Sequence, residues 1–337
     1  METTNGISVV ICCYNSSKRL KETLLHLSRQ RVSKNILWEI VVVDNNSTDD
    51  TANFANEILT NLGITNYKIA FEHEPGLSYA RACGIKHSTF DLILFCDDDN
   101  WLDENYLSTA AAFMQSNSAI GVIAGMNEGV LETEAPMWWK EKSSGYAVGK
   151  QGEVSGDISY RKYVWGAGMV IRKNILETLK KTGFQSLLSD RMGNSLSSGG
   201  DSEICRWALL MGYKLWYSEE LKLKHFISKE RLTDDYLKRL IDGHLESYQT
   251  LRWYDFVIDC EPRLKEKKNA FVIFLGWLFA LRAIILNSEI RKASAQLKVG
   301  TTLIVHPTVY RILKLCDALK NLNVPILNQA LINPGIC

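Results

Sequence analysis

Proline is scarce, with 6 residues in 337, and no low-complexity tract accompanies it, so long disordered regions are not expected. Neither sign of charge is in excess: 39 Lys and Arg stand against 38 Asp and Glu, for a net charge of +1. That near balance removes the bulk electrostatic case for a nucleic-acid partner. The 8 cysteines are scattered and none form a CxxC pair, which argues against a structural zinc site. The start, Met1-Glu2-Thr3-Thr4-Asn5-Gly6, is polar and leads into a strand, so no signal peptide is expected. The cysteines then read as reduced, buried thiols of a cytoplasmic protein. A comfortable bilayer-spanning run is also lacking, because Arg282 interrupts the apolar stretch of residues 271–286.

What is present is the composition of an ordinary globular protein, 46% hydrophobic and 23% charged, long enough for one large α/β domain with an appendage. The organising stretch is Leu92-Ile93-Leu94-Phe95-Cys96-Asp97-Asp98-Asp99. An apolar run this short reads as a strand buried on both faces of a parallel sheet. It ends in three carboxylates, at the sheet edge where open α/β folds bind ligands. Three adjacent acids stay anionic most easily around a cation, and carboxylate oxygens suit Mg²⁺ or Mn²⁺. An acidic turn capping a helix from Asp103 is the alternative.

The hydrophobic pattern predicts strands over residues 7–13, 38–44, 67–72 and 91–96, alternating with helices over about 16–30, 50–61, 77–87 and 103–116. This β-α alternation predicts a mostly parallel sheet. Further strands are expected over 120–125, 163–172 (broken by Gly166 and Gly168) and 215–225. Further helices are expected from Lys173 and over 201–211, with irregular chain over 136–156 and 188–200. A boundary is placed near residue 230, with helices beyond it over about 233–252, 269–286 and 306–321. The expected organisation is a nucleotide-binding half, 1–115, an acceptor-binding half, 116–230, and a helical region, 231–337.

Three strand tips carry polar groups: Tyr14-Asn15, Asp44-Asn45 and Asp97-Asp98-Asp99. In a parallel sheet they share one edge and can meet one ligand. Tyr14 can stack on a base, Asp44 can accept from a base N–H, and Arg81 can reach the base or its phosphates. Each also has a bland role: packing, helix capping, or a surface cation.

The ordered set Cys13-Tyr14-Asn15, Val42-Val43-Asp44-Asn45-Asn46-Ser47-Thr48-Asp49, Pro75-Gly76-Leu77-Ser78-Tyr79-Ala80-Arg81 and Asp97-Asp98-Asp99 resembles the inverting family 2 glycosyltransferases. The resemblance covers roughly residues 6–230. It implies a GT-A (Rossmann-like) fold flanked by helices, with a C-terminal helical extension. It also implies a nucleotide-sugar donor such as a UDP-sugar, a divalent metal (Mn²⁺ or Mg²⁺) and a saccharide or lipid-linked saccharide acceptor in bacterial surface polysaccharide synthesis. By this resemblance Tyr14, Asn15, Asp44, Arg81, Asp97 and Asp98 contact the donor. Asp97, Asp99 and His225 are the implied metal ligands, and Asp201 the catalytic base. Family members usually carry Glu-Asp where this chain has Gly200-Asp201. Glu203 is the alternative base. Trp138, Trp139 and Trp165 can stack on sugar faces.

Residues 263–292 combine basic positions with the apolar run. They fit a peripheral membrane helix at the inner face of the plasma membrane, or a core or homodimer helix. Two rival functions remain. A sugar-phosphate nucleotidyltransferase would want a Gly-rich basic loop after the first strand, and residues 12–18 contain no glycine. A non-catalytic nucleotide-sugar-binding protein would bind without turnover.

Overall fold

A computed structural model of the protein describes residues 5–188, 191, 196, 198–265 and 307–324. The helix expected over 269–286, and with it the membrane or dimer contact, lies outside the described residues. No helix among the described residues is long and apolar enough to cross a membrane.

The elements run β1 (Gly6–Cys13), α1 (Leu20–Ser28), β2 (Leu37–Asp44), α2 (Thr51–Asn61), β3 (Tyr67–Phe71), α3 (Leu77–His87), β4 (Leu92–Asp97), β5 (Asn100–Leu102) and α4 (Tyr106–Ser116). They continue with β6 (Ile120–Leu131), α5 (Trp139–Lys142), β7 (Gly156–Asp157), β8 (Val170–Arg172), α6 (Lys173–Lys181), α7 (Gly200–Leu210), β9 (Lys214–Ile227), α8 (Asp234–Lys265) and α9 (Pro307–Asn321). One sheet holds them in the order β3-β2-β1-β4-β8-β6-β9-β5, with β7 also on β9.

The first half is parallel throughout, β3-β2-β1-β4, as the β-α alternation predicts. The second half is mixed. β8 runs antiparallel to β4 and β6, β6 and β9 are parallel, and β5 and β7 are antiparallel to β9. Two expectations shift here. The strand expected over 163–172 is only Val170–Arg172, because the chain through Trp165 and Gly166 turns toward α7 instead of pairing. The helix expected from 103 starts at Tyr106, because residues 100–102 form the short strand β5.

Alternate residues of the central strands enter opposite cores, so the apolar runs are continuous because both faces are covered. Ile7, Val9 and Ile11 pack with Leu24 of α1, Leu59 of α2 and Leu107 of α4. Val10, Val43 and Phe95 share the other core with Ala80 of α3, Leu179 of α6, Trp207 of α7, Tyr254 of α8 and Ile312 of α9. The helical region therefore docks on the sheet through α7. None of the six cysteines whose side chains are described forms a disulfide; five are buried and Cys12 is half-buried.

β6 and β9 stay paired beyond an irregularity at Gly125, where the register jumps from Ala124↔Tyr217 to Met126↔Lys222. A Cβ on Gly125 would lie 1.8 Å from the Leu221 carbonyl oxygen, so no other residue fits this approach. The jump lets β9 run on to Ile227 and carry β5 at its edge.

Glu39 of β2 clips the end of the sheet where the parallel strands begin. Its carboxylate, with the residue only 2% exposed, accepts from Ser8 of β1 and from Thr89 ahead of β4, and pairs with Lys68 of β3. Burial alone would raise its pKa. The hydrogen bonds from Lys68, Thr89 and Ser8 outweigh it and hold the pKa below the usual Glu value. Such a group contributes stability above its unfolded pKa, and that stability is lost as pH falls through the lowered folded value. Glu39→Gln should therefore cost about 1–3 kcal/mol at neutral pH, with the gap to wild type closing below about pH 4. Urea denaturation at the two pH values measures both.

Candidate active site

The tips of β2, β1 and β4 lie side by side, with Cys13 opposite Asp44 and Cys12 opposite Asp97. The chain runs outward from β1 to β2 and β3, then returns to β4 on the other side of β1. This is the switch point at which open α/β sheets form a crevice. A cavity of about 1070 Å³ opens there and extends to the N-terminus of α7 and one face of α8. Tyr14, Arg81, Asp97, Asp98, Asp99, Asp201 and His225 all line it.

The acidic loop is tightly folded. Asn100, fully buried, accepts the Asp97 N–H on Oδ1 at 3.1 Å and donates from Nδ2 to Asp99 Oδ1 at 3.0 Å. The β5–β9 register sets Asn100 opposite His225, which brings His225 Nε2 to 3.4 Å from Asp99 Oδ1. Arg231 Nη1 donates to Asp99 Oδ2 at 2.9 Å. Asp98 is held by α1: Arg19 Nη2 donates to its carboxylate at 2.7 Å and Thr23 Oγ1 to its carbonyl at 2.9 Å.

These partners set the charge distribution. Burial raises all three carboxyl pKa values, but at Asp99 the imidazole of His225 and then Arg231 outweigh it and hold the acid well below the usual range. At Asp97 burial, followed by repulsion from Asp99, keeps the pKa raised despite Arg81 and His225. Asp98 is raised for the same two reasons, against Arg19. Among the described residues no group donates a hydrogen bond to the Asp97 carboxylate, which faces the cavity as the least compensated of the three.

Asp201 is the second residue of α7. Its Oδ2 accepts the Gly166 N–H at 2.7 Å and its Oδ1 the Ser202 N–H at 2.7 Å. Each oxygen keeps a lone pair for a substrate hydroxyl. Gly166 permits the contact, since a Cβ there would lie 3.0 Å from Arg81 Nη2 and 3.1 Å from Asp201 Oδ2. Arg81, its guanidinium over the Phe95 ring at 5.2 Å, thus stands between the acid loop and Asp201.

Other residues singled out in the sequence sit behind the surface. Asp44 is 5% exposed and its Oδ1 accepts the Ser47 N–H at 2.9 Å, while its neighbours Asn45, Asn46 and Thr48 line the cavity. Asn15, in the left-handed region with φ 50°, accepts the Thr48 N–H on Oδ1 at 2.8 Å and gives its own N–H to Ser47 Oγ at 3.1 Å. Asn15 therefore stitches the β1 loop to the β2 loop, while Asp44 folds the β2 loop on itself. Glu203 is 1% exposed and accepts from Tyr254 Oη at 2.6 Å, from the Leu187 N–H at 2.9 Å and from Ser186. It ties α7 to α8 and lies outside the cavity lining. Trp165 lines the cavity, whereas Trp138 and Trp139 pack with Tyr146, and Trp138 Nε1 donates to Asp234 at 2.7 Å.

Sequence reasoning missed Arg19 and Arg231, the two cations nearest the acids. Arg19 follows the first strand as one basic residue among several. Arg231 falls at the boundary drawn near 230, and only the turn after β9 returns it to Asp99.

As the side chains stand, no three His, Cys, Asp or Glu groups among the described residues converge on a metal position. The donor types nevertheless fit a divalent cation. Asp97 offers the least compensated carboxylate of the three, with Asp99 Oδ1 and His225 Nε2 3.4 Å apart beside it.

A parallel half-sheet with an acid triplet at its switch point, continued by a mixed half that delivers a second carboxylate, is the GT-A architecture. The chain belongs to glycosyl transferase family 2, whose model matches residues 8–179, and it is a transferase by that membership. It is 33% identical over 109 residues to the 4,4'-diaponeurosporenoate glycosyltransferase of Staphylococcus haemolyticus, covering 31% of this chain and 27% of that one. It is 24% identical over 216 residues to glycosyltransferase AglE of Haloferax volcanii, covering 64% and 65%. It therefore spans less than two thirds of the length of these curated relatives. The crystal structure of Staphylococcus aureus TarS 1–349 in complex with UDP-GlcNAc matches with a TM-score of 0.52 at 19% identity, over 94% of this chain and 80% of that one, a likeness of fold.

The close approach at Gly166 gives a test of the geometry. Gly166→Ala should push Arg81 and Asp201 apart by a few tenths of an ångström and lower kcat by about tenfold or more. Circular dichroism should show the fold retained.

Proposed function

We propose that the protein is an inverting, metal-dependent glycosyltransferase that moves a sugar from a nucleoside-diphosphate sugar to an acceptor hydroxyl, in bacterial surface polysaccharide synthesis. The observation that carries this reading is that Asp99 and Asp201, 102 positions apart in the chain, face one cavity from opposite sides.

The base end of the donor lies at the β1–β2 tips, with Tyr14 as a stacking face and Asp44 holding the loop that meets it. The diphosphate lies over β4, where Arg81 and Arg231 offer positive charge. Asp97, Asp99 and His225 would hold a divalent cation, Mn²⁺ more readily than Mg²⁺ because of the imidazole. Such a cation neutralises charge on the departing diphosphate.

Asp201 takes the proton from the acceptor hydroxyl. The freed oxygen attacks the anomeric carbon on the face opposite the diphosphate. The new C–O bond forms as the old one breaks, and the diphosphate leaves with the electron pair. Configuration inverts, and the proton ends on Asp201 Oδ. Hydrogen bonds from Gly166 and Ser202 fix that carboxylate for the transfer. Glu203, engaged with three donors and outside the cavity, favours Asp201 as the sole base. The solved TarS complex with UDP-GlcNAc supports UDP-sugars as the donors to try first.

The tests separate binding from chemistry. Asp201→Asn should retain donor binding in a thermal-shift assay with Mn²⁺ and a panel of UDP-sugars, while transfer falls by about 10²- to 10⁴-fold. Asp99→Ala should weaken the metal-dependent part of donor binding. Unchanged metal dependence in that variant sinks the cation assignment, and full activity in Asp201→Asn sinks the base.

A further inference from the structure

The acceptor side of the cavity contains a built shelf whose chemistry the reaction above does not use. Gln151, 1% exposed, is its anchor. Its Nε2 donates to the Gly125 carbonyl at 2.9 Å, and its Oε1 accepts the Trp165 N–H at 2.7 Å. Its own carbonyl accepts from Arg161 Nη1. The Arg161 guanidinium then lies 4.8 Å from the Tyr163 ring centroid and 5.8 Å from that of Trp165. Arg161, Tyr163 and Trp165 all line the cavity, and the residue after Trp165 is Gly166, whose N–H holds Asp201.

Charge pairing sets Arg161 apart. Arg19 meets Asp98, Arg231 meets Asp99, Arg206 meets Asp255 at 2.7 Å and Lys150 meets Glu219 at 2.8 Å. Among the described residues Arg161 meets no carboxylate. Four of its five N–H donors remain beyond the one given to Gln151. A guanidinium stacked on aromatic rings keeps its edge for a planar, two-point contact with an oxyanion. An acceptor hydroxyl placed on Asp201 brings the rest of that sugar over Trp165, and the next group along reaches Arg161.

We propose that the acceptor is an anionic saccharide, whose phosphate or carboxylate is received by Arg161 while its sugar ring lies on Trp165. This rests on the reading of Asp201 as the base that meets the acceptor. A phosphodiester and a uronic acid share the required chemistry, and the experiment below distinguishes them.

The test uses the full chain with a UDP-sugar donor and short acceptors in three matched forms: a neutral hexoside, its phosphodiester and its uronic acid. Charged forms should show an acceptor KM lower by about tenfold or more, with the advantage shrinking as salt is raised. Arg161→Gln should abolish the preference and Arg161→Lys keep part of it, with donor KM within about twofold of wild type in both. The form that gains most identifies the anion. If none of the three is glycosylated, calorimetric binding of the same compounds reads the same preference. Equal KM or binding for neutral and charged forms, or a preference that survives Arg161→Gln, overturns the proposal. Failure to bind any nucleotide sugar would instead count against the transferase reading, and it is measured without an acceptor.

Discussion

Three adjacent carboxylates buried at the end of β4 impose a demand for positive charge that shapes the surrounding molecule. Two unit charges about 4 Å apart at a protein surface interact by roughly 4 kcal/mol, so neither the repulsion nor its relief is small. Relief comes from four separate segments: Arg19 just ahead of α1, Arg81 on α3, His225 on β9 and Arg231 in the turn beyond it. Arg19 and Arg81 arrive on the crossovers before β2 and β4, and His225 and Arg231 arrive together on β9 and the turn that follows it. The acid loop is therefore an assembly point of the fold. Compensation is uneven, and Asp97 is left with the least, facing the cavity.

The second half of the sheet serves the first. Four parallel strands bring three polar tips to one edge, and the mixed half brings Asp201 and His225 to the same cavity. The mixed half does so through two close approaches at glycine, prohibitive for a side chain at Gly125 and tight at Gly166. At Gly125 the register of β6 and β9 jumps, so that β9 can run on to His225. At Gly166 the backbone comes close enough to hold Asp201 by its N–H while leaving room for Arg81. Glu203, two residues further along α7, fastens α8 and the residues before α7 to this arrangement. Two acids of one helix thus take different parts because one faces the cavity and the other faces Tyr254.

Much of this was legible beforehand where the signal is local. The strands β1, β2 and β4 are unbroken apolar runs, and their order with intervening helices is written in the period of the pattern. Their polar tips follow from the parallel arrangement, so Tyr14, Asp44 and Asp97 were expected on one edge and lie there. Asp201 was legible as an acid at a helix start. What escaped was every role that depends on a partner far along the chain. Asn15 bonds Ser47 and Thr48 of the neighbouring loop, 32 and 33 positions along the chain, which no local pattern signals. Trp138 and Trp139 read as sugar platforms, and they pack on Tyr146 beside the start of α8. Residues 100–102 read as belonging to no element, and they form a strand because β9 extends far enough to pair with them.

The sequence by itself determined the elements, the family and the identity of the acids, because hydrophobic period and short ordered motifs are properties of neighbouring residues. Only the tertiary structure decided which cation meets which acid, which of Asp201 and Glu203 reaches the cavity, and that Arg161 stands apart from every described carboxylate. Those outcomes are fixed by strand register and by packing between residues tens of positions apart, and no local pattern encodes a distance across the fold.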